Sequence, residues 1–161
     1  MTTRREFLKT GLAGGLLLNL AACSRPAKND GRAQVLSALI PVMLAGALTT
    51  QPEDASRQIN RTLSGVEAAI NGLSLAAQAE IGELFDLLTF PLTRMLAAGL
   101  WSPWKDATPA SLNAFLESWR HSRFDLLKSG YAALHDLILG TWYAQPESWA
   151  VIGYPGPPML K

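Results

Sequence analysis

RFDLLKSGYAALHDLILGTW, residues 123–142, is the stretch that decides the fold class. Its residues Phe124, Leu127, Tyr131, Leu134, Ile138 and Trp142 recur in steps of three and four. That spacing lines them up on one face of a 3.6-residue helix. Gly130, inside the run, is read as room for a close helix contact. An amphipathic helix of this length must bury its stripe against other elements, so the rest of the chain has to supply them.

Moving towards the N-terminus, the same period returns. Thr108 followed by Pro109 is a helix start, a side-chain cap and then proline at the first helical position. The stripe Leu112, Phe115, Leu116 and Trp119 follows it. Trp101-Ser102-Pro103-Trp104 reads as a loop. Ala76 to Leu88 carries Ile81, Leu84, Phe85 and Leu88, and Pro91 restarts the chain into a short segment ending near Gly99. Gly72 and Ser74 mark a boundary, before which Ile59, Leu63, Val66, Ile70 and Leu73 alternate in steps of four and three on a helix beginning near Glu53. Val35 to Leu48 is uncharged and apolar, interrupted by Pro41. At 14 residues it is shorter than the roughly 20 a membrane span requires, and it reads as a kinked core helix. No run alternates with a period of two for long enough to make a strand. The expectation is an all-α protein, a single compact bundle of five or six helices over residues 33–161 with an irregular Pro/Gly-rich C-terminal tail. No internal repeat is visible.

The N-terminus has a different character. Thr3-Arg4-Arg5-Glu6-Phe7-Leu8-Lys9 precedes the apolar stretch Gly11 to Ala22, which at 12 residues is a signal core and too short to span. Paired Arg4 and Arg5 followed by Phe7 and Leu8 form the pattern of a twin-arginine export signal, a route for proteins folded before export. Leu20-Ala21-Ala22-Cys23 reads as a lipobox, with removal of residues 1–22 and diacylation of Cys23. Cleavage nearby by an ordinary signal peptidase would leave Cys23 as a free thiol. Two acyl chains would anchor the chain stably, each buried methylene contributing about 0.8 kcal/mol. Ser24, in place of Asp, resembles lipoproteins sorted to an outer membrane. The expected location is therefore periplasmic, lipid-anchored to a bacterial membrane. Residues 23–32, the lipidated Cys23 and the polar stretch Ser24 to Arg32, read as a tether.

Removing 22 of the 161 residues leaves 139, one domain by length. That mature chain has 11 basic and 12 acidic residues, a balance that does not favour nucleic acid as a partner. Chemistry is scarce in it. Cys23 is the single cysteine, His121 and His135 carry no metal-ligand spacing around them, and no Gly-rich phosphate loop is present. The two histidines read as surface or structural residues. No catalytic, metal or cofactor-binding residue is assigned, and the chain is expected to have no cofactor of its own.

All five tryptophans, Trp101, Trp104, Trp119, Trp142 and Trp149, fall in the last 61 residues. Trp119 and Trp142 lie on apolar helix faces. Trp149 and Tyr154 instead border Gly- and Pro-rich backbone that cannot continue a helix, and large aromatics on a stiff tail suit an interface.

Trp149, Gly153, Tyr154, Gly156 and Pro157 match the W-x-x-x-G-Y-x-G-P ending of the gluconate 2-dehydrogenase subunit 3 family, and Trp119-Arg120-His121-Ser122 looks like its W-x-x-S helix. The resemblance covers Ala33 to Pro158 and is most specific at the tail; the chain departs from many members in being short and in having a lipobox. Members are small subunits of bacterial membrane-associated flavin dehydrogenases, and they carry the twin-arginine signal for a large flavoprotein of the glucose-methanol-choline type. The resemblance implies a non-catalytic subunit that escorts and anchors a periplasmic FAD-dependent dehydrogenase of sugars, sugar acids or alcohols. FAD would belong to that large subunit, and a cytochrome subunit is a further candidate partner, beside the translocase during export and the membrane through Cys23. It also implies partner contacts at Trp119, Trp149, Gly153, Tyr154, Gly156 and Pro157. The alternative is a stand-alone helical periplasmic lipoprotein that binds a small apolar ligand between its helices.

Overall fold

The computed structural model describes residues 28–149 and 152–156. Its elements are α1 (Lys28–Met43), α2 (Pro52–Asn71), α3 (Leu75–Thr89), α4 (Pro91–Thr93), α5 (Pro109–Arg120), α6 (Asp125–Tyr143) and α7 (Pro146–Trp149). A π-helical turn, Arg94–Ala98, continues α4, and a 3-10 turn, Trp104–Asp106, precedes α5. The fold is all-α, with no strand among the described residues.

The helix starts are set by local chemistry. Ser74 Oγ accepts the Ala77 amide at 3.3 Å and Thr108 Oγ1 accepts that of Ser111 at 3.2 Å, each occupying a donor that the first turn leaves free. Pro52, Pro91 and Pro109 open α2, α4 and α5, where a missing N–H costs nothing. Phe90, extended because Pro91 follows, stops α3. Gly99, at φ +66°, closes the π-helical turn in a conformation that a side chain would strain.

α1 is the hub. Val35, Leu36, Leu39 and Ile40 are fully buried, and the helix packs against α2, α3, α5, α6 and the 3-10 turn. Pro41 lies inside α1, which continues to Met43. Burying a large aliphatic side chain contributes about 1.5–3 kcal/mol, so these four side chains do much to hold the bundle together.

The helix begins earlier than the composition of residues 23–32 suggests. Lys28 to Arg32, expected in the tether, are the first turn of α1. Gly31 brings the helix against Thr89: a β-carbon there would sit 2.5 Å from Thr89 Cγ2. Arg32 is only 8% exposed, donates to Glu67 Oε2 at 3.0 Å and lies over the Phe85 ring at 5.4 Å. A polar, glycine-bearing sequence therefore ties α1 to α2 and α3 instead of trailing in solvent.

A second cluster fills the space between α3, α5 and α6. Trp104, Phe115 and Trp119 stack edge to face, at 5.8 and 4.8 Å between ring centroids. Trp104 Nε1 donates to the Leu88 carbonyl at 2.9 Å and Trp119 Nε1 to that of Ala97 at 2.7 Å, which removes the cost of burying each N–H. Trp119 also covers Gly130, the close helix contact expected there. Gly65 gives α2 and α6 a second such approach, against Thr141. Two stripe residues fall outside their helices and are exposed, Leu73 beyond the end of α2 and Phe124 before the start of α6.

Candidate functional site

Two surfaces combine exposed apolar groups with defined geometry. The first is a corner made by the end of α6, α7 and the tail. Trp149 Nε1 donates to the Tyr143 carbonyl at 2.8 Å, satisfying an acceptor left over at the end of α6. The Ile152 and Tyr154 amides both donate to the Trp149 carbonyl, at 3.2 and 2.9 Å, with Gly153 at φ +66° making the turn between them. The Tyr154 ring then meets Trp149 edge-on at 5.5 Å. Gly156, at φ +99°, passes so near that a β-carbon would lie 3.0 Å from Trp149 Cζ3. The spacing of Trp149, Gly153, Tyr154 and Gly156 thus has a local cause: one indole around which the chain turns back. Tyr143, Ile152 and Tyr154 remain exposed on this corner.

The corner is fastened to α2 by an ion pair between Arg61 and Glu147. The Glu147 carboxyl is held below its ordinary value chiefly by its own backbone N–H; desolvation opposes this, and the hydrogen bond and charge of Arg61 add smaller lowering effects. At the other end of α6 the cause is a side chain: Lys128 holds the Asp125 carboxyl low, first through a hydrogen bond and then through its charge.

The second surface is a cleft of about 390 Å³ between α3 and α6. Ile81, Leu84 and Leu87 form one wall, Leu127 and Ala133 the other, with the Trp119 ring between them. Glu80 and Glu83 stand on the α3 edge, and Leu126, 76% exposed, on the α6 edge. The sequence carried a signal for it that periodicity alone passes over. α3 is apolar at Leu87 as well as along Ile81, Leu84, Phe85 and Leu88, an arc wider than one contact face needs.

The structure separates the residues expected to meet a partner. Trp149, Gly153, Tyr154 and Gly156 come together in the tail corner. Trp119 does not belong with them: only 2% exposed, it is a core residue, because its ring is needed to fill the gap above Gly130. Pro157, the export residues Arg4, Arg5, Phe7 and Leu8, and Cys23 lie outside the described residues. His121 pairs with Glu117 at 3.1 Å, and His135 Nδ1 lies 3.1 Å from Asp136. Both are solvent-side pairs. Among the described residues no helix is long and apolar enough to cross a membrane. Comparison with family models, curated proteins and solved structures returns no match to this chain.

Proposed function

We propose that the chain is a non-catalytic small subunit that escorts a periplasmic FAD-dependent sugar, sugar-acid or alcohol dehydrogenase through the twin-arginine pathway and holds it at the membrane through Cys23. The observation that carries this reading is the tail corner. Residues of the W-x-x-x-G-Y-x-G pattern build one turned-back unit, and it leaves Tyr143, Ile152 and Tyr154 on the surface. Exposed aromatics on backbone already fixed by hydrogen bonds lose little entropy on docking, which is what an interface anchor needs. The paired arginines supply the rest: a route for folded cargo is explained if the cargo is a flavoprotein that must load its cofactor first.

Isolation of the mature chain from its native membrane, with an absorbance scan of what accompanies it, tests the reading. A flavin spectrum in stoichiometric association is expected. Changing Arg4 and Arg5 to Lys keeps charge but removes the planar, bidentate geometry of guanidinium. Dehydrogenase should then collect in the cytoplasm with its flavin, and normal periplasmic activity of every flavin dehydrogenase in that strain would sink the escort reading.

The cleft between α3 and α6 favours a second reading, the stand-alone lipoprotein with a small apolar ligand. Lipid recovered from a monomeric, flavin-free preparation would support it.

A further inference from the structure

The cleft between α3 and α6 has an apolar interior and two carboxylates, Glu80 and Glu83, on one edge. Neither carboxylate is in an ion pair among the described residues. A cavity of about 150 Å³ admits a benzene, so about 390 Å³ has room for several aliphatic side chains. The chain itself holds a matching segment. Leu12, Leu16, Leu17 and Leu20 fall at helical spacing, and Arg4, Arg5 and Lys9 precede them.

We propose that in the precursor the segment 11–20 lies in this cleft, with Arg4, Arg5 and Lys9 beside Glu80 and Glu83. Reach and direction both support it. Gly31 abuts Thr89, so the chain before α1 departs from the C-terminal end of α3. Residues 21–27 can span about 24 Å when extended, against a helix diameter of about 10–12 Å. A chain running backwards from there meets Leu87 first, then Leu84 and Ile81, and Glu80 last. Leu20 to Leu12 covers about 12 Å as helix, and Leu87 to Glu80 about 10 Å on α3. The basic residues therefore arrive at the acidic end of the cleft. A tethered segment also enjoys an effective concentration in the millimolar range, which favours it over a segment supplied by another molecule at micromolar concentration. As a consequence the export signal is sheltered by its own folded body, and export begins with its displacement. This consequence rests on residues 3–22 being an export signal; the docking itself needs only their apolar and basic pattern.

Disulfide trapping in the full-length precursor, purified without the translocase and carrying Cys23→Ser, tests it. Leu16→Cys is paired either with Ser129→Cys, on the α6 edge of the cleft, or with Ser64→Cys, on the exposed face of α2 near the far end of α6. A disulfide needs Cα atoms within about 7 Å, so trapping reads proximity. The Ser129 pair should close within one molecule about tenfold faster than the Ser64 pair, as tethering predicts. Adding Glu80→Lys and Glu83→Lys should slow it about fivefold, and these exposed changes leave helical content intact. Equal closure of the two pairs would overturn the proposal, and so would exclusively intermolecular disulfides, which would assign the cleft to a second copy. No dehydrogenase is present in this measurement, so its failure leaves the escort reading standing and failure of the escort reading leaves the docking standing.

Discussion

Trp119 and Gly130 are matched as ring and gap: a β-carbon built on Gly130 would sit 2.5 Å from Trp119 Cζ3, and the ring is fixed from its other side by Phe115 and by the hydrogen bond to Ala97. Gly130→Ala gains about 1 kcal/mol of helix propensity but forces a rigid indole to move, and overpacking typically costs about 1–3 kcal/mol. Net destabilisation of about 1 kcal/mol is expected in urea unfolding. Gly140, in the same helix, has nothing within 4 Å of the corresponding position. Gly140→Ala should therefore stabilise by about 0.5–1 kcal/mol, and two changes of the same sign would contradict the account of Gly130.

Arg32 and Glu67 are unequal partners, because the guanidinium is buried while the carboxylate reaches water. Glu67→Gln leaves a cation buried without its counter-charge and should cost about 2 kcal/mol. Arg32→Met keeps an unbranched side chain against Phe85, with a favourable sulfur contact, and releases Glu67 to solvent. It should cost less than Glu67→Gln. The double variant should cost less than the sum of the two, a coupling that chemical denaturation of all four forms measures.

These two sites also show how far the sequence could be read. The helical period of residues 123–142 holds from Leu127 on, with Leu134, Ile138 and Trp142 buried on the face that the spacing selects, while Phe124 precedes the helix and is exposed. The cap at Thr108 and the break at Pro91 are legible because their chemistry is local. Arg32 was not, since its partners Glu67 and Phe85 are supplied by other helices and nothing in SRPAKNDGR announces them. The same limit applies to Trp101 and Trp104, three residues apart in one loop, of which the first is 77% exposed and the second buried on Leu88 and Phe115. Periodicity has little to say about a loop that ends in a single 3-10 turn. The cleft is visible only once α3 and α6 are placed side by side, although the excess of leucines at Leu84, Leu87, Leu126 and Leu127 is its trace.

Glu147 gives the tail corner a pH dependence. Its carboxyl in the folded protein is depressed by its own backbone N–H and by Arg61, so folding binds fewer protons than the unfolded chain does near its ordinary pKa of 4.5. The contribution is present above 4.5 and is lost as pH falls through the lowered folded value. The stability advantage of the native chain over Glu147→Gln should shrink on acidification through this window. Arg61→Gln should move the Glu147 midpoint only part of the way back, since the backbone N–H remains. Titration of the Glu147 carboxyl by NMR reads both effects, and a midpoint unmoved by Arg61→Gln would remove the ion pair from the account.

The corner can be taken apart residue by residue, and each residue should fail differently if the aromatics are an interface. Tyr154 is 44% exposed and lies in the tail beyond the last helix, so Tyr154→Ala should leave unfolding unchanged while weakening capture of the flavoprotein, by about 2 kcal/mol if it is an anchor. Trp149→Ala removes the ring on which Tyr154 and Gly156 rest and the donor to the Tyr143 carbonyl, so it should loosen the tail, weaken capture further and still leave the helical content intact. Gly153→Ala changes no contact, yet it puts a side chain at φ +66°, a conformation that costs about 1–2 kcal/mol. It should therefore weaken capture through backbone strain alone, with amide exchange at Tyr154 accelerated because its hydrogen bond to the Trp149 carbonyl forms less often. Circular dichroism, amide exchange and pull-down on these three variants distinguish the roles. Loss of helical content in the Trp149 and Tyr154 variants would show the pair to be core, and full capture by all three would place the partner elsewhere.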